Sequence, residues 1–89
     1  MPIFDIRIIN RTPISDHPVE GTEKWDMKVV INYPQGGLID EINCHATVSK
    51  NMEHFDPTQI SNLILTGANK RAIVLQIKQF LALKNDLKR

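Results

Sequence analysis

The sequence predicts a small α+β protein, a three-stranded antiparallel β-meander with one face covered by two C-terminal helices, in the order β-β-β-α-α. Apolar and polar residues alternate through residues 3–9, 24–33 and 38–49, the period of strands that bury one face. Asp56-Pro57 is a helix-start signature, an N-cap acid followed by a proline whose missing N–H costs nothing there. Beyond position 68 the apolar residues recur at helical spacing.

The first strand, Ile3–Ile9, sets Phe4, Ile6 and Ile8 on one face and Asp5 and Arg7 on the other. Residues 10–23 contain Pro13, Pro18 and Gly21 and read as a long loop. The second strand alternates Trp25, Met27, Val29, Ile31 and Tyr33 with polar neighbours. Trp25 and Tyr33 are thereby assigned to the core. Pro34-Gln35-Gly36-Gly37 is hairpin-loop chemistry. The third strand then turns Leu38, Ile42, Cys44, Ala46 and Val48 inward. Asp40 breaks that register near the turn, where water reaches it.

The first helix is expected over residues 57–65. Asp56 is its N-cap, Pro57 its first residue, and Gln59 stands where a capping box places its side chain. Phe55 and Ile60 are spaced as a hydrophobic staple, Ile60, Leu63 and Ile64 form a stripe, and Gly67 closes the helix. A second helix runs from about Ala68 to Leu87, the alternative being one helix kinked at Gly67. At about 100° per residue, Ala72, Ile73, Ile77, Phe80, Leu83 and Leu87 form its apolar face. Lys70, Arg71, Lys78, Lys84 and Lys88 lie opposite, with Val74 and Leu81 among them as a second narrow stripe.

A chain of 89 residues accommodates one domain, assigned to residues 1–89. So short a chain buries a modest share of its surface, and a second subunit would add stability. The lone cysteine, Cys44, permits no internal disulfide, which points to a reducing, cytoplasmic location. No segment has the length of a signal peptide's apolar stretch or a membrane span. Size and lack of motifs would suit a phage or mobile-element protein. Residues 1–56 carry five bases and nine acids, a net −4, whereas residues 57–89 carry six bases and one acid, a net +5. That dipole suits head-to-tail contacts, an acidic partner or nucleic acid.

No phosphate loop, dinucleotide fingerprint, nucleophile elbow or metal-spaced Cys/His set is present. Cys44 and His45 are adjacent, so on a strand they face opposite ways and cannot act as nucleophile and base. His17, His45 and His54 are scattered. The polar sheet face, with Asp26, Lys28, Glu41, Asn43 and His45, lacks the aromatic residues that stack RNA bases.

The opening Met1-Pro2-Ile3 resembles the start of the tautomerases, which implies Pro2 as catalytic base and a helix after the first strand. Here a proline-rich loop and a second strand follow. Gly67-Ala68-Asn69-Lys70-Arg71-Ala72 resembles the start of the last helix in double-stranded RNA-binding domains. That family enters the helix almost directly from its third strand and has an initial helix that is missing here. The chain is assigned to neither family.

The expected function is therefore a non-enzymatic protein–protein interaction module, an adaptor, inhibitor or regulatory protein that could self-associate as a homodimer through its C-terminal helix. Val74, Leu81, Lys78 and Lys84 form the expected partner site, with Lys70 and Arg71 at its rim. No cofactor, metal or membrane is expected. The alternatives are nucleic-acid binding by the basic helix and tautomerase-like catalysis by Pro2.

Overall fold

The computed structural model describes residues 2–50, 52–63 and 65–88. Its strands are β1 (Ile3–Pro13), β2 (Glu23–Asn32), β3 (Leu38–Ser49) and β4 (Met52–Phe55). They form one antiparallel sheet in the order β1-β2-β3-β4. A 3-10 turn (Pro57–Ile60) and a single helix, α1 (Gly67–Lys88), follow. The α+β class and the meander agree with expectation, but there are four strands rather than three and one α-helix rather than two.

β2 and β3 are the inner strands. Trp25, Met27, Val29 and Ile31 are wholly buried on the inner face of β2, as their alternation requires. Cys44, Ala46 and Val48 of β3 continue that face, and Phe55 of β4 closes it. Tyr33 departs from expectation: β2 ends at Asn32, and Tyr33 opens the turn with half its surface exposed. Its N–H donates to the Gly37 carbonyl, and Gly36 and Gly37 adopt positive φ, which glycine does without steric cost. Leu38, expected to point inward, is also exposed at this turn.

β1 continues four residues beyond its expected end, because a bulge after Ile8 resets the register before Asn10. Arg11 then lies across from Trp25 with its guanidinium 4.5 Å from the ring centre, a cation–π lid on the core. The loop 14–22 is pinned at its base by the Ile14 N–H bonding to the Thr22 carbonyl.

The expected first helix stops after one 3-10 turn. The Asp56 carboxylate caps it, accepting from the Thr58 N–H at 3.0 Å and the Thr58 hydroxyl at 2.8 Å. Gln59, however, does not complete a capping box. Its Oε1 accepts from the His45 N–H at 2.8 Å and its Nε2 donates to the His45 carbonyl at 3.0 Å. The chain is thus held on the edge of β3, and Ile60 enters the core from the end of the 3-10 turn and Leu63 from the irregular segment after it. Ile64 lies outside the described residues.

Gly67 opens α1 instead of closing a helix. The Thr66 hydroxyl caps α1 by accepting from the Asn69 N–H at 3.2 Å. The buried row of α1 is Ile73, Ile77, Leu81 and Asn85, a strict four-residue spacing. Such a row is inclined to the helix axis, so α1 buries a line oblique to the stripe expected from 100° periodicity. Leu81, expected on an exposed stripe, is consequently core, and Leu83 and Leu87, expected in the core, are exposed.

Candidate interaction surface

Of the six residues expected to bind a partner, one is withdrawn into the core and three share a depression. Leu81 is fully buried and unavailable to a partner. Lys70, Arg71 and Val74 share a shallow apolar depression with Pro57, Ile60 and Ser61. Within it the Lys70 ammonium donates to the Ser61 carbonyl at 2.7 Å. Lys84 places its ammonium 5.6 Å from the Phe80 ring centre. Lys78 is exposed. The bases of the helix are thus divided among different neighbours.

A different surface, of mixed apolar and amide character, emerges where α1 lies beside β1. The inclination of the buried row leaves Leu83 at 59% and Leu87 at 72% exposure. Leu83, Phe80, Gln76 and Gln79 of α1 line a groove of about 430 Å³ with Phe4 and Ile6 of β1. Phe4, Ile6, Ile8 and Phe80 are only half-buried while packing against the core. β1 is the edge strand, and no described strand pairs with its outer side. The groove therefore adjoins a row of backbone donors and acceptors facing outward, the arrangement by which a sheet adds a strand from another chain.

The opposite sheet face is a lattice of small exposed ion pairs. Arg7 meets Asp5 at 3.0 Å, Lys24 meets Asp26 at 3.8 Å, and Lys28 meets Glu41 at 3.5 Å. Exposed pairs of this kind contribute about 0–1 kcal/mol each. Apolar residues interrupt this face: Val30 between Asp5 and Glu41, Met52 beside Ser49, and on β1 Ile3 at 53% and Ile9 at 59% exposure. The bulged Ile9 lines a depression with Asp26, Asn43 and His45.

No group of described residues is arranged to hold a metal. A depression of about 570 Å³ is lined by the loop 14–22 and its flanking residues. Its His17 Nδ1 already accepts from the Val19 N–H at 3.1 Å. Cys44 is buried, and desolvation pushes its thiol up to about 11, away from the thiolate a nucleophile requires. Where the tautomerase resemblance implies a helix after the first strand, the structure has the loop 14–22 and the antiparallel β2.

No helix among the described residues is long and apolar enough to cross a membrane. Compared with protein-family models, curated proteins and solved structures, the chain finds no match in any of the three. The edge and groove were missed in the sequence because β1 and α1 adjoin only through the tertiary fold. The signal within reach was the isoleucine content of the first strand, with Ile3 and Ile9 on its polar side.

Proposed function

We propose that this protein is a small non-enzymatic interaction module whose binding surface is the β1 edge and the adjoining groove against α1. The observation that carries the reading is the juxtaposition of exposed Leu83 with half-buried Phe4, Ile6 and Phe80 beside an edge without a strand partner among the described residues. A groove that mixes apolar side chains with the amides of Gln76 and Gln79, next to an unpaired strand edge, suits an extended peptide segment. Backbone pairing would supply affinity and alternate side chains would supply specificity. An adaptor, inhibitor or regulatory role uses such a surface without chemistry of its own.

The test is selection of a displayed random-peptide library on the immobilised chain at high dilution. Peptides that read as apolar strands and lose binding to a Leu83→Asp variant are the expected result. A library yielding no binders, or binders indifferent to that substitution, would contradict the reading.

A further inference from the structure

Resting on that reading of the β1–α1 face, we propose that its occupant is a second copy of this chain, joined by antiparallel pairing of the two β1 strands about Ile6. The argument lies in the order of residues along the edge. With Ile6 opposite Ile6 of the second copy, Phe4 meets Ile8, Ile3 meets Ile9, and Asp5 meets Arg7. Each apolar residue thus faces an apolar one, and each charge faces its opposite. Cross-strand pairs of both kinds stabilise a sheet, and like charges directly opposed destabilise it.

Neighbouring registers lack this property. Sliding by two residues one way sets Asp5 against Asp5, and the other way sets Arg7 against Arg7. Sliding by one residue places the apolar face of one strand on the polar face of the other. The favoured register is therefore singled out by the sequence of the strand itself. By two-fold symmetry every favourable pair off the axis occurs twice.

The same pairing accounts for both isoleucines on the polar face. Ile3 and Ile9 are exposed at opposite ends of the segment and would cover one another across the junction. Between them, the two Asp5–Arg7 pairs, each 3.0 Å within its own strand, would form a cluster of alternating sign. On the other face, Ile6 lines the groove and stands on the two-fold axis, so the grooves of the two copies meet there.

The second open edge of the sheet has the opposite character. β4 pairs only with Ala46–Ser49 of β3, and Gln59 takes the backbone of His45. The remaining stretch of β3 carries Asp40 and Glu41 in succession. A second copy paired in antiparallel fashion there, with its two-fold axis at residue 40 or 41, would oppose acid to acid, a recognised guard against edge pairing. Between Ile3 and Ile8, β1 carries no like-charge opposition in the register centred on Ile6, and its bulge lies at the end of that stretch.

The test is mass by light scattering over a dilution series for the wild type, Asp5→Arg, Arg7→Asp and the double exchange. The wild type should reach twice the 10.2 kDa chain mass. Each single variant should weaken association about tenfold or more, since it creates two like-charge oppositions. The double exchange should restore wild-type association. Circular dichroism should be unchanged throughout, because both side chains are solvent-accessible.

Single variants that dimerise like the wild type, or a double exchange that fails to rescue, would overturn the paired-strand arrangement. Loss of association by Leu83→Asp in that case would leave the binding face standing. A wild type monomeric at every concentration would overturn self-pairing. Library peptides that still bound it through Leu83 would preserve the broader reading.

Discussion

The side-chain amide of Gln59 pairs with the backbone of His45 as a further residue of β4 would. It accepts from the His45 N–H at 2.8 Å and donates to the His45 carbonyl at 3.0 Å. The same Nε2 donates to the Asp56 carbonyl at 3.1 Å. One side chain thus fastens the 3-10 turn to the sheet and determines where the chain departs toward α1. Replacing Gln59 with Ala should destabilise the protein by about 1–2 kcal/mol in urea unfolding. Gln59→Glu should not rescue it, because a carboxylate cannot donate to the His45 carbonyl. Full stability in either variant would show that the link is incidental.

The oblique packing of α1 separates two leucines two residues apart. Leu81→Ala should cost about 2–5 kcal/mol, the range for opening a cavity in a core. Leu83→Ala should cost no more than about 0.5 kcal/mol, as for an exposed residue. Equilibrium unfolding of the two variants checks this, and a reversed order would restore the helix face expected from periodicity alone.

Asn85 is the buried polar end of the same row. Its Nδ2 donates to the Ser49 carbonyl and to the Glu53 carboxylate, each at 2.9 Å. The side chain ties α1 to the β3–β4 turn. Asn85→Ala should cost about 1–3 kcal/mol by leaving the part-buried Ser49 carbonyl without its donor. Hydrogen exchange in β4 should accelerate with it.

Two groups give the stability a pH dependence of known sign. Burial raises the Cys44 thiol from 9.0 to about 11, so between those values the unfolded chain loses the proton that the folded chain keeps. Stability from this source is complete below pH 9 and declines toward pH 11, by an amount on the order of 2 kcal/mol. Cys44→Ala should flatten that part of the profile relative to wild type. Asp56 is lowered by the Thr58 N–H, then by the Thr58 hydroxyl. Its contribution is present above the ordinary aspartate range and is lost as pH falls through its depressed value. Asp56→Asn should blunt the acid limb.

Much of this architecture was legible in the sequence. Five alternating apolar residues from Trp25 onward defined β2, and the glycines at 36 and 37 defined its turn. Asp56 was legible as a cap. What followed it was not, because the cap residues Asp56-Pro57 serve a 3-10 turn as well as an α-helix. The choice between them involves Gln59 bonding to a residue fourteen positions earlier. β4 escaped notice because Met52-Glu53-His54-Phe55 is too short to show a period. Thr66 was overlooked as a cap because Gly67 beside it drew a C-terminal reading. The expected site moved because the direction in which a helix crosses a sheet is a property of the packed pair. That direction buried Leu81 and exposed Leu83.

The central claim, that the β1 edge is a binding surface occupied by a second copy, is tested most directly by amide hydrogen exchange at two protein concentrations. Within residues 3–9, the amides that point away from β2 should gain protection as concentration rises. Those along the open stretch of β3, residues 38–44, should not. Protection in β1 that is independent of concentration, or a concentration-dependent gain confined to other segments, would contradict the account.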